Sequence, residues 1–158
     1  MKITFQPIGE VHSPFKTLDG MPIQAARSQE GVGQVVVFPE FAEGLADLDG
    51  FSHIFLLYYL HQSEGYRLKV TPFLDDQPRG LFATRAPKRP NPIGLSILRL
   101  TEINDNIISV TQLDILDKTP VLDIKPYVPD FDNRSEKVRI GWLESARERQ
   151  AISDDRFK

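Results

Sequence analysis

Residues 79–96, RGLFATRAPKRPNPIGLS, constrain the chain more tightly than any other stretch. Pro87, Pro90 and Pro92 each fix φ at about −65° and lack an N–H, so neither a helix nor a central strand can run through them. Carbonyls there outnumber N–H groups, and Thr84, Asn91 and Ser96 add short polar side chains. This predicts a stiff loop preorganised for a ligand that seeks acceptors. The stretch is also basic: Arg79, Arg85, Lys88, Arg89 and Arg99 fall within residues 79–99, which hold no Asp or Glu. In a chain of net charge −3, that concentration can hold phosphates or a carboxylate, or it can be a rigid connection with solvated charges.

The rest of the sequence reads as short strands. Residues 3–11 and 34–38 are rich in Val, Ile and Phe and bounded by Pro and Gly. Residues 51–62, FSHIFLLYYLHQ, are almost continuously apolar and predict a buried strand. LSILRLTEI and IISVTQLDIL flank Asn104-Asp105-Asn106, which predicts an antiparallel hairpin over 95–116. Residues 13–33 carry too many Pro and Gly for an element and read as a long ordered loop. Only the end has helical spacing, with Val138, Trp142, Leu143 and Ala146 on one face after Asn133 and Ser135 as candidate caps. The expectation is one mainly β domain over 1–158, a closed or nearly closed β-barrel with a short C-terminal helix, the tail 134–158 being helical.

With no cysteine, disulfides, thiolate zinc sites and cysteine nucleophiles are excluded. No run approaches the ~20 apolar residues of a membrane span, and a cytoplasmic protein is expected. Gly31-Val32-Gly33 lacks the third small residue and the strand-loop-helix context of a dinucleotide fingerprint. Asp114, Asp117 and Asp123 are too irregularly spaced for a hard-metal loop, so no metal is predicted. His53, inside the aromatic run, reads as a core residue. Adjacent Tyr58 and Tyr59 must face opposite ways in a strand, one to the core and one to a surface. Lys125 and Tyr127 form a basic and aromatic pair suited either to packing or to a nucleobase and its phosphate.

LFATRAPKRPNPIGLS, with FSHIFLLYYLHQ before it and TPVLDIKPYVP after it, resembles the TsaA-like family of S-adenosylmethionine-dependent tRNA methyltransferases over residues 8–129. The resemblance implies a single β-barrel acting as a homodimer, with the cofactor near the subunit interface and tRNA as partner. It implies methyl transfer to the N6 nitrogen of threonylcarbamoyladenosine beside the anticodon. It carries cofactor contacts onto Pro22, Ile23, Gln24, His61, Gln62, Arg85 and Leu95, and onto Asp114, Ile115, Leu116, Asp117 and Thr119, with Arg85 the cation for the methionine carboxylate. Lys88 and Arg89 are candidates for RNA phosphates. Asp123, Lys125 and Tyr127 are candidates for orienting or deprotonating the target nitrogen. Two stretches depart from the family pattern. His12-Ser13-Pro14-Phe15 stands for Arg-Ser-Pro-Tyr, and Asp117-Lys118-Thr119-Pro120 stands for Asp-Gly-Thr-Pro, which puts a side chain where φ > 0 would favour glycine. The chain also ends before an extension that longer bacterial members carry, so its tRNA surface is expected to differ. A cofactor-binding module without catalysis and a plain RNA-binding barrel are the alternative readings.

Overall fold

The computed structural model describes residues 1–18 and 31–147. Strands β1 (Gly9–His12), β2 (Gly33–Val37), β3 (His53–Tyr59), β6 (Ile93–Asn104), β7 (Ile107–Thr111) and β8 (Pro120–Pro126) close into an antiparallel barrel in the order β1-β2-β7-β6-β3-β8. A separate ribbon pairs β4 (Lys69–Val70) with β5 (Arg79–Gly80). A short helix, α1 (Pro129–Asp132), follows the last strand.

The barrel is filled by one side of each strand. Val11, Val35, Ile54, Leu56, Leu98, Ile108, Val110 and Val121 are wholly buried, and β-branched or branched side chains of this kind pack well on a pleated surface. Two bulges keep this sorting intact. In β8, Leu57 pairs with Asp123 but Tyr58 pairs with Val121, so Leu122 is the extra residue. A regular strand would carry Asp123 and Lys125 inward after Val121; the bulge turns them out and brings Ile124 against the core. In β6 Thr101 plays the same part, and Ile103 rejoins the inner face opposite Ile108.

The first strand is shorter than residues 3–11, and residues 1–7 are exposed. The hairpin forms on Asp105, at φ 53°, but β7 ends at Thr111 because Gln112 adopts φ 62° and turns the chain out of the sheet. The aromatic run is not buried on both faces: Ile54, Leu56 and Tyr58 point in, while Phe55, Leu57 and Tyr59 point out. Helical structure is not confined to the end. Pro39–Leu45 and Leu48–Gly50 form 3-10 turns, the first started by Pro39, whose missing N–H costs nothing there. Asn133 is the C-cap of α1, not the N-cap of the tail. The tail helix begins only at residue 143, after Gly141 at φ 58°, and Val138 lies outside it and exposed. Residues 148–158 lie outside the described part.

The inside-outside sorting of β3 predicts unequal costs for neighbours. Leu56→Ala should lower stability by about 2–5 kcal/mol, the range for a buried leucine, and Leu57→Ala by about 1 kcal/mol or less. Urea titration checks this, and equal costs would overturn the assignment of faces.

Candidate functional site

At the end of the barrel where β3 stops and β8 starts, a cavity of about 160 Å³ opens. His61 and Gln62 reach it from the end of β3; Asp114, Ile115, Leu116 and Thr119 reach it from the segment that Gln112 turns out of the sheet. These six residues, far apart in sequence, are sequence-predicted cofactor contacts that the fold brings together. Hydrogen bonds fix both walls. Leu60 N donates to Pro92 O at 2.8 Å and Ser63 Oγ to Pro87 O at 3.0 Å, tying the proline loop to the end of β3. Thr119 Oγ1 donates to Leu116 O at 2.7 Å, closing the other wall on itself.

Asp117 is placed differently. Its carboxylate accepts the Ser13 N–H at 2.9 Å and pairs with Lys16 Nζ at 2.6 Å, and it does not line the cavity. The hydrogen bond from Lys16, helped by Ser13 N–H, holds its carboxyl below the usual carboxylate range although partial burial opposes this. Its role is to pin residues 13–16 beside the cavity wall. Lys118 does adopt φ 66°, and its Nζ reaches Glu10 Oε1 at 3.0 Å.

The proline loop is preorganised by its own arginine. Arg89 Nη1 donates to Thr84 O at 3.0 Å, Ala86 O at 3.2 Å and, more weakly, Leu81 O at 3.5 Å. Its guanidinium also lies 5.8 Å from the Phe82 ring centre. Three loop carbonyls are thus satisfied from within, and Arg89, predicted for an RNA contact, turns its guanidinium onto its own loop. Lys88, also predicted for RNA, instead lines the cavity beside Pro87. Arg85 is exposed and outside the cavity. Leu95 is 56% exposed on the outer face of β6, opposite in direction to buried Ser96. Neither Arg85 nor Leu95 meets the cavity within one chain. Pro22, Ile23 and Gln24 lie outside the described residues.

The proposed orienting residues are remote. Asp123 and Lys125 form an ion pair of 2.8 Å on the outer face of β8, and Tyr127 donates to Asn133 Oδ1 at 2.6 Å. At roughly 3.3 Å of rise per residue, Asp123 sits ~13 Å and Tyr127 ~26 Å along the chain from Thr119. None of the three lines this cavity. His53 is not in the core: its Nδ1 meets Ser52 Oγ at 2.8 Å, and its ring lies 6.2 Å from that of Tyr127, on the outer rim. Among the described residues no group of three His, Cys, Asp or Glu side chains could hold a metal. The opposite end of the barrel has a wider cleft of about 740 Å³ whose charged lining, Glu40, Glu43, Asp47 and Asp123, is acidic, the wrong sign for a phosphate or a methionine carboxylate. The sequence reading missed Tyr58, Leu60 and Ser63 as wall residues, because nothing in the aromatic run marks which end of a strand opens on a cavity.

Residues 10–133 match the N-terminal domain family of tRNA-methyltransferase O. The chain belongs to this family. It is 54% identical over 144 residues to a probable S-adenosyl-L-methionine-binding protein of Pyrococcus abyssi, covering 91% of this chain and 78% of the relative. It is 37% identical to a tRNA (adenine(37)-N6)-methyltransferase of Escherichia coli, covering 79% of this chain and 57% of that protein. A crystal structure of TrmO superposes with a TM-score of 0.75 at 38% identity, covering 88% of this chain and 64% of that one. The chain thus covers more than three quarters of the Pyrococcus relative but less than two thirds of the Escherichia coli protein and of the TrmO structure.

Within this family member, the Arg89 clamp predicts that Arg89→Ala frees the loop. Hydrogen exchange should accelerate for amides in residues 84–89 while the barrel strands stay protected, and Arg89→Lys should restore only part, since an ammonium lacks the planar fork. Unchanged exchange would remove the clamp. For Asp117, a carboxyl whose pKa falls on folding stabilises at neutral pH and loses that contribution as pH drops through the lowered folded value. Wild-type stability should therefore decline below about pH 4, and Asp117→Asn should be weaker at pH 7 and flatter through that window, read by thermal melting.

Proposed function

We propose that the protein methylates the N6 nitrogen of adenine 37 in tRNA with S-adenosylmethionine, the acceptor being threonylcarbamoyladenosine beside the anticodon. The observation that carries this reading is the convergence of His61, Gln62, Asp114, Ile115, Leu116 and Thr119 on one cavity in a family member related to a tRNA (adenine(37)-N6)-methyltransferase. The donor set suits the cofactor. Ile115, Leu116 and Leu60 offer an apolar bed for the adenine, the Asp114 carboxylate can accept from ribose hydroxyls, and the Gln62 amide can meet ring nitrogens. Lys88, in place of Arg85, is the cation on the wall among the described residues and can take the methionine carboxylate.

S-adenosylmethionine supplies an activated methyl group whose leaving thioether needs no acid. The protein's contribution is then position: residues that hold the methyl donor and the target nitrogen in line supply most of the acceleration. A cavity of 160 Å³ is smaller than the ~300–1,000 Å³ of a site enclosing a ligand of this size, so more wall is required. A second copy is the source we favour. Phe55, Leu57 and Tyr59 of β3 pair with Ile97, Leu95 and Ile93 of β6 to make a continuous outward apolar face. An exposed face of this kind suits a homodimer, which could bring Leu95, Arg85 or the β8 residues Asp123, Lys125 and Tyr127 to a neighbouring cavity. A cytoplasmic location belongs to the same reading; no helix among the described residues is long and apolar enough to cross a membrane.

Incubating the protein with labelled S-adenosylmethionine and tRNA with or without the threonylcarbamoyl group, followed by nucleoside mass spectrometry, tests the reaction and its acceptor. Label only on the modified tRNA is the expected result; cofactor binding without transfer would favour a sensor, and RNA binding indifferent to the cofactor a plain RNA-binding barrel. Lys88→Ala should weaken cofactor binding on the order of 10- to 100-fold by calorimetry, as for a charged hydrogen bond, and unchanged affinity would remove Lys88 from that role.

A further inference from the structure

A buried chain of hydroxyl groups runs from the barrel interior to the cavity. The Tyr58 hydroxyl lies 3.0 Å from Ser96 Oγ, and Ser96 Oγ donates to Asp114 Oδ1 at 3.2 Å. Ser96 has a single hydroxyl hydrogen and a carboxylate only accepts, so that hydrogen goes to Asp114 and Tyr58 must donate to Ser96. The chain therefore points one way, from Tyr58 through Ser96 to the carboxylate. Tyr58 and Ser96 are 9% and 8% exposed; Tyr58 and Asp114 both line the cavity, and Ser96 sits behind them. Three separate parts of the sequence meet here: the aromatic strand β3, the serine that follows the proline loop on β6, and the wall segment after β7.

Gly94 makes the arrangement possible. It pairs with Tyr58 across β3 and β6, and a Cβ at this position would overlap the Tyr58 ring. The glycine of Pro92-Ile93-Gly94 is thus a seat for an aromatic ring; no turn requires it. Burial pushes the Tyr58 phenol up, against the hydrogen bond with Ser96, and the nearby Asp114 charge pushes it the same way, so the hydroxyl stays protonated and able to donate at neutral pH.

We propose that Tyr58 and Ser96 are positioning residues that fix the Asp114 carboxylate for the hydroxyl groups of the cofactor's ribose, with Gly94 holding Tyr58 in place. This rests on the cofactor reading of the cavity. The Tyr58 ring lines the cavity, but its hydroxyl is committed to Ser96 and the Ser96 hydroxyl to Asp114, so each hydroxyl acts through Asp114. The aligned donors orient the carboxylate, so loss of either weakens an acceptor that the cofactor uses, while the tRNA surface is untouched.

The test is a double-mutant cycle read by calorimetry with S-adenosylmethionine, with tRNA affinity and thermal melting measured on the same proteins. Tyr58→Phe keeps the ring on Gly94 and removes only the hydroxyl. It should weaken cofactor binding about 2- to 10-fold, as for one neutral hydrogen bond, with tRNA affinity unchanged. Ser96→Ala should lose at least as much, and Ser96→Thr should recover part by restoring a hydroxyl. Because Tyr58 acts through Ser96, the double variant should bind no worse than Ser96→Ala alone. Wild-type cofactor affinity in Tyr58→Phe would overturn the relay, as would losses that multiply in the double variant or a matching loss of tRNA affinity, which mark mere structural damage. A wild-type protein that fails to bind S-adenosylmethionine would instead overturn the cofactor reading, and the relay's purpose with it.

Discussion

The closure between β1 and β8 is the constraint on which the other features depend. Direct pairing there is short, Gly9 with Val121 and Glu10 with Pro120. It is extended by Ile8 N to Val121 O at 2.8 Å, Val11 N to Thr119 O at 2.9 Å and Lys118 N to Val11 O at 2.8 Å. Closing the sheet removes the two edges that an open six-stranded sheet would expose. The same bonds fasten residues 117–119 to β1, so barrel closure and the cavity wall are one construction. Asp117 extends it by gripping Ser13 N–H and Lys16, and Ser13 Oγ returns the contact by donating to Ile115 O at 2.7 Å. Lys118 pays a backbone cost of about 1 kcal/mol at positive φ where glycine would not, and its reach to Glu10 strengthens the seam in partial compensation.

Charge and rigidity in the proline loop turn out to have separate owners. Prolines restrict the backbone but leave carbonyls without donors, and a loop that strips its own N–H groups needs cations to satisfy them. Arg89 meets that need from inside the loop, with Ser63 supplying one more donor at Pro87. Trp142 adds a third link, its Nε1 donating to Ala83 O at 2.8 Å, and Arg79 lies over the same indole at 5.9 Å. The start of the tail helix is therefore packed on the loop. The basic residues of one stretch divide accordingly: Arg89 and Arg79 build the loop, Lys88 faces the cavity, and Arg85 faces solvent.

The barrel was legible in the sequence because short runs of Val, Ile and Leu between prolines and glycines leave few other architectures, and Asn104-Asp105-Asn106 marked its hairpin correctly. The faces were less legible. The run FSHIFLLYYLHQ has apolar residues on both sides, so its pattern cannot show that Phe55, Leu57 and Tyr59 lie outside. Bulges at Leu122 and Thr101 shift the alternation by one residue, and no propensity announces them. The 3-10 turns over 39–50 were hidden by their brevity and their glycines. At the site, family resemblance named six of the twelve residues that line the cavity, and the fold sets Asp114 and Lys88 on that wall and Asp117 and Arg85 off it. The placement of Asp117 turns on partners as distant in sequence as Ser13 and Lys16.

Strand alternation separates two of the residues that the family resemblance assigns to the cofactor. On β6, Ser96 points into the barrel and joins Asp114, whereas Leu95, one residue earlier, points away into the apolar outer face. No rotamer change can carry Leu95 to the cavity that Ser96 supports, because the sheet lies between them. If both residues serve one cofactor, as the family resemblance implies for Leu95, their contributions must come from different copies of the chain. This geometry supports the proposed dimer alongside the exposed apolar area. Each β6 strand would then support its own cavity through Ser96 and complete its neighbour's through Leu95, so the site could form only as fast and as firmly as the two copies associate.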